Sequence, residues 1–89
     1  MNAPYRSTPI FDETTLPAAL RTEHDTKPGV WAKIRVHEGA LRFTLIEPRS
    51  ERVLTPGDPA IVLPRQKHFV TPLGAVRCQV DFYDAHPAA

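Results

Sequence analysis

Residues 30–46 read VWAKIRVHEGALRFTLI, and the fold class turns on how this stretch is understood. Val30, Ala32, Ile34 and Val36 alternate with Trp31, Lys33 and Arg35, which is the period of two of a half-buried antiparallel strand. After His37, Glu38 and Gly39 the alternation resumes through Leu41, Phe43 and Leu45. The pattern predicts a hairpin, with a tight turn at residues 37–39 and Gly39 supplying a positive φ. Alternation defines two faces of a strand without saying which is inside. Trp31 is therefore either an apolar wall of an interior pocket or a cover on the outer sheet.

Similar pieces flank this stretch. Downstream, RVLT (52–55), AIVL (60–63), HFVTP (68–72) and VRCQVDFY (76–83) read as strands, with turns or loops at EPRSE, PGD, PRQK and LGA. In the last of these strands Val76, Cys78, Val80 and Phe82 share one face, and Arg77, Gln79, Asp81 and Tyr83 the other. Upstream, residues 1–16 read as an arm with a short strand near residues 9–11. PAALRTEH then forms a turn and a strand ending near His24, followed by the loop TKPG. Ten prolines in 89 residues cut the chain into strand lengths and leave little room for helix. About seven short strands at ~8–12-residue spacing indicate an all-β sandwich or barrel. A single domain spans residues 1–89, with an N-terminal arm at 1–10 and a flexible tail at 84–89.

Composition narrows the function classes. At 42% hydrophobic and 24% charged, with 11 basic and 10 acidic residues, the chain is of ordinary globular type and carries no basic stripe for a phosphate backbone. No nucleic-acid partner is expected. No apolar run approaches the roughly 20 residues of a membrane-spanning helix, and the N-terminus lacks the design of a signal peptide, so no membrane partner is expected. The single cysteine, Cys78, forms no internal disulfide; with the missing leader this makes cytoplasmic the expected location. Cys78 reads as a small buried hydrophobe. Ser7 and Ser50 have no nucleophile elbow around them, and no glycine-rich strand-to-helix loop is present for a nucleotide cofactor.

The order of these pieces resembles a cupin, a double-stranded β-helix of jelly-roll type. GVWAKIRVHEGALRFTL resembles the first half of a cupin core, and PGDPAIVLPRQKHFVTPLG the second. More narrowly, the segment His24-x-x-Lys27-x-Gly29-x-Trp31, the segment Pro64-x-x-x-His68 and the closing Asp81-Phe82-Tyr83 occur in the order of the TehB/YeaR-like small cupin family. That family is associated by name with tellurite resistance and with nitrate-responsive genes. Some of its members carry a methyltransferase after such a domain; methyl transfer is not carried over to these 89 residues.

The resemblance also implies a site. His68 matches the second cupin histidine, and His24 is the other histidine near where cupins place theirs. The remaining cupin metal positions fall on Ala32 and on residues 25–28, which are Asp25, Thr26, Lys27 and Pro28, so the standard centre of three histidines and one glutamate is absent. A reduced set of His24, His68 and Asp81 would hold a divalent metal such as zinc, iron or nickel, since a site of two imidazoles needs a third ligand. The competing reading has Asp81 on the outer face, paired with Lys33 or Arg77. Lys27 and Arg65 flank the two histidines and, with Trp31, are expected to meet a small-molecule or anionic ligand. His37 and His86, in a turn and a tail, carry no such expectation. The expected function is binding of a metal ion or small molecule in the barrel, in an oxyanion or nitrate-linked stress response. The alternatives are a metal-dependent enzyme of dioxygenase or isomerase type and a non-catalytic dimeric sensor. No catalytic residue is assigned, and a homodimer is compatible with so short a chain.

Overall fold

A computed structural model describes residues 3–87. Its elements are β1 (Arg6–Ser7), β2 (Phe11–Asp12), α1 (Ala18–Arg21), β3 (Trp31–Leu45), β4 (Ser50–Leu54), β5 (Ala60–Val62) and β6 (His68–Tyr83). The fold is all-β, as the alternation required, with one short helical turn. The strands form a six-stranded antiparallel sheet. β3 and β6 run side by side along its centre. β4 and β5 pair with opposite ends of β3 on its far side. β1 and β2 pair with the C-terminal half of β6.

The expected hairpin at residues 37–39 does not form. β3 continues through them as one strand of 15 residues. What the sequence carries there is a β-bulge: Val36 pairs with Cys78 and Glu38 with Arg77, so His37 is the extra residue. One extra residue switches the inward face from even positions (Ala32, Ile34, Val36) to odd ones (Leu41, Phe43), all of them buried. The parity change across residues 37–39, where His37-Glu38-Gly39 suggested a turn, is the signature of this bulge. LGA is likewise no chain reversal. Gly39 pairs with Val76 and Leu41 with Pro72, so Leu73, Gly74 and Ala75 bow out of β6 opposite Ala40.

These irregularities bend the sheet. At ~3.3 Å per residue a straight β6 of 16 residues would be about 50 Å long, yet the longest dimension of the molecule is 32 Å. The two halves of the sheet curl over one core that joins Ala32, Ile34, Leu41, Phe43, Val70 and Val80. Gly39 sits at the bend with φ 77°. A β-carbon there would run into the carbonyl oxygen of Ala75, so β3 and β6 approach as closely as they do because this residue is glycine.

The arm is more structured than its composition suggests. Tyr5 and Thr8 donate backbone hydrogen bonds to Phe82 and Val80 at 2.9 Å each, and Leu16 is buried in the core. The tail is packed through residue 87: the His86 ring lies 4.7 Å from that of Trp31, and Pro87 is buried. Residues 1–2 of the expected arm and 88–89 of the expected tail lie outside the described residues.

Candidate functional site

The concave face of the curled sheet encloses a cavity of about 310 Å³, near the lower end of ligand-pocket volumes. Its walls are apolar: Ile34, Leu41, Val70, Cys78 and Val80 from the long strands, closed over by Phe11, Leu16 and Leu20 from the N-terminal segment. Exposed Tyr5, Arg6, Asp25 and Lys27 mark its mouth. The guanidinium of Arg6 stands 5.9 Å from the centre of the Phe82 ring, within range of a cation–π contact.

The polar part of the cavity wall includes a pair of histidines, with Thr26 nearby in the lining. His24 extends the sheet beyond β6 by an isolated antiparallel bridge to His68. Its N–H donates to the His68 carbonyl at 3.0 Å, and the His68 N–H donates to the His24 carbonyl at 2.9 Å. Directly opposed residues bring their side chains together, and the two rings lie 4.1 Å apart between centroids. His68 is 3% exposed, with the Phe43 ring 5.7 Å away.

Both rings have a fixed tautomer. His24 Nδ1 lies 2.9 Å from the Thr22 carbonyl oxygen, and His68 Nδ1 lies 2.8 Å from that of Gln66. A carbonyl only accepts, so each Nδ1 carries the proton. The neutral ring then bears its lone pair on Nε2. Burial is the main cause that pushes the His68 pKa below its usual 6.5; the nearby His24 adds to this, while the Gln66 carbonyl and Asp25 oppose it. At neutral pH the His68 ring, which lines the cavity, therefore carries an acceptor at Nε2.

The TehB-like domain family matches residues 6–80 of this sequence. The chain belongs to that family. A protein of Haemophilus influenzae named as the probable S-adenosyl-L-methionine-dependent methyltransferase TehB is 29% identical over 85 residues, covering 89% of this chain and 30% of that protein. The crystal structure of H. influenzae TehB superposes with a TM-score of 0.82 at 31% identity, over 91% of this chain and 30% of that one. The chain thus spans less than a third of TehB's length. A crystal structure of an Escherichia coli K12 protein shares the fold over 97% of this chain and 92% of its own, with a TM-score of 0.83 at 23% identity. FeII HppE shares it more distantly, with a TM-score of 0.64 at 16% identity over 83% of this chain and 40% of that one.

Within this TehB-like domain the sequence-derived site residues separate. His24, His68 and Lys27 share the cavity. Asp81 does not: Val80 and Phe82 face inward, so the residue between them faces the other side of β6. There its carboxylate takes the Arg35 guanidinium at 2.7 Å and the Ser7 hydroxyl at 2.7 Å. The outer-face alternative is the observed one, with Arg35 in place of Lys33 or Arg77. Trp31 is also on the outer side, opposite Tyr83 in register and against His86. Arg65 is not a lining residue; it adopts φ 63° in a turn, and its N–H donates to the Thr26 carbonyl at 3.1 Å. Among the described residues no three His, Cys, Asp or Glu side chains are grouped to hold a metal. Two imidazoles alone do not fit a closed divalent centre.

Cys78 faces the cavity, and burial pushes its thiol above the usual 9.0, keeping it protonated. His37, the bulge residue, is exposed and bonds the Gln79 side-chain oxygen at 2.7 Å. The residues missed in the sequence are Arg6, Phe11, Leu16 and Leu20, which cover the cavity. Their signal was the apolar set Phe11, Leu16 and Leu20 in an otherwise polar segment. No helix among the described residues is long and apolar enough to cross a membrane.

Proposed function

We propose that this TehB-like domain is a cupin-like binding module for a small, largely apolar molecule, held in the cavity with His24 and His68 as its polar anchor. The carrying observation is the cavity itself: about 310 Å³, walled mainly by apolar side chains, with two imidazoles whose Nδ1 atoms are committed to main-chain carbonyls. Such a site combines an apolar body with a few convergent polar groups, the usual form of a small-molecule pocket. Arg6 and Lys27 at the mouth favour ligands with some anionic character outside the apolar body. The role we infer is binding rather than the methyl transfer in TehB's name, within the oxyanion- or nitrate-linked stress response that the family association implies.

A metal ion is a second reading, since a carbonyl-oriented imidazole is how histidine usually meets a metal. It requires the bound molecule to supply the remaining ligands. NMR titration with naphthalene separates the two readings. Shifts confined to the methyl groups of Ile34, Leu41, Val70 and Val80, in metal-free protein, are the expected result. Shifts that appear only on adding zinc or iron would favour the metal. No shift under either condition would overturn both.

A further inference from the structure

We infer that the His24–His68 pair selects ligands carrying hydroxyl or N–H donors on an aromatic body, of the phenol class, over otherwise equal ligands that only accept. The inference rests on the cavity-binding reading above and adds the chemistry of the recognised group. Three observations carry it. Each Nδ1 donates to a carbonyl two residues earlier in its own chain, which fixes the proton on that nitrogen. Each Nε2 is left as an acceptor, and neither has a hydrogen-bond partner among the described residues. The two rings are held 4.1 Å apart between centroids by reciprocal main-chain bonds, and both residues line the cavity.

An acceptor facing an apolar space is satisfied only by a donor. A hydroxyl on the ligand provides one, whereas an ether or ketone in the same place puts lone pair against lone pair. The remaining wall is largely apolar, with aliphatic side chains and the aromatic Phe11 and Phe82, and it suits a flat apolar body. Two adjacent hydroxyls would meet the two rings at once. Protonation of His68 would turn its acceptor into a donor, so the preference weakens as pH falls through its lowered pKa.

The test compares 2-naphthol with 2-methoxynaphthalene by calorimetric titration of the full chain at neutral pH. These differ by one donor and little in shape. The naphthol should bind about tenfold more tightly, the factor expected for one net hydrogen bond, and 2,3-dihydroxynaphthalene more tightly still. In the double variant His24→Leu/His68→Leu the preference should fall to about twofold or less. Should the double variant fail to fold, either single variant should bring the affinity for 2,3-dihydroxynaphthalene down to that for 2-naphthol. Independently of any variant, imidazole ¹⁵N shifts should report both rings as Nδ1–H. Equal affinity for naphthol and ether would overturn the inference while leaving cavity binding intact. Failure of both compounds to bind would overturn both. Nε2–H tautomers would overturn the inference by themselves.

Discussion

Replacing Gly39 with alanine tests the bend on which the cavity depends. The residue has φ 77°, a left-handed conformation that costs a side-chain-bearing residue about 1–2 kcal/mol. The new methyl would also meet the Ala75 carbonyl oxygen and lie 3.0 Å from the Val76 α-carbon. Both are backbone atoms, which cannot rotate aside, so overpacking adds about 1–3 kcal/mol. The stiffer unfolded chain returns ~0.4–1 kcal/mol. The net loss is about 3 kcal/mol, or roughly 12–24 °C in melting temperature for a domain of this size. Gly57 is the internal control. Its φ is 86°, but an added β-carbon meets nothing within 4 Å. Gly57→Ala should therefore cost only about 0.5–1 kcal/mol, the conformational part alone. Urea unfolding of both variants, with the slope of the transition checked for constancy, measures the difference. If Gly39→Ala proves as mild as Gly57→Ala, β3 and β6 do not meet at the bulge as described.

The other predictions concern the two faces of the sheet. Asp81→Asn should destabilise the domain by about 1–3 kcal/mol through its weakened bonds to Arg35 and Ser7, yet leave the calorimetric affinity for 2-naphthol unchanged; a loss of affinity would return Asp81 to the cavity side. The buried neutral His68 has a folded pKa below the unfolded 6.5, so its contribution to stability is present above 6.5 and is lost as pH falls from there through the lower folded value. Unfolding free energies measured at intervals below pH 6.5 should fall more steeply in the wild type than in His68→Leu, and parallel slopes would show that the ring is not desolvated.

The all-β class was legible because side-chain parity is a local property, read within a few residues. Strand continuity was not. The parity switch between Val36 and Leu41 is the same whether the chain turns back or inserts one residue. Only the partner, β6, more than twenty residues away in sequence, distinguishes them. The same limit applied to the site. His24 and His68 were named, and grouped in one site, from the family resemblance, and the antiparallel bridge between them brings the two together. Asp81 looked available for a ligand role because a carboxylate in an apolar strand needs a partner. Its partners proved to be Arg35 and Ser7, on the face that alternation allowed but did not choose. Phe11, Leu16 and Leu20 were hidden by the polar residues around them, since covering a cavity takes only a few apolar contacts and leaves no long periodic pattern.

The pairing of β3 with β6 also bears on how the domain emerges during synthesis. Leu45 meets His68 and Trp31 meets Tyr83, so the ladder closes first across its shorter chain separation and last across its longer one. Until His68 has left the ribosome, β3 has only β4 and β5 as partners, and both are short. The apolar row from Ala32 to Phe43 then stays uncovered by β6 while the segment between β3 and β6 is translated. For that interval the nascent chain offers a free strand edge and an apolar face, the combination that attracts holding chaperones and favours aggregation when they are scarce.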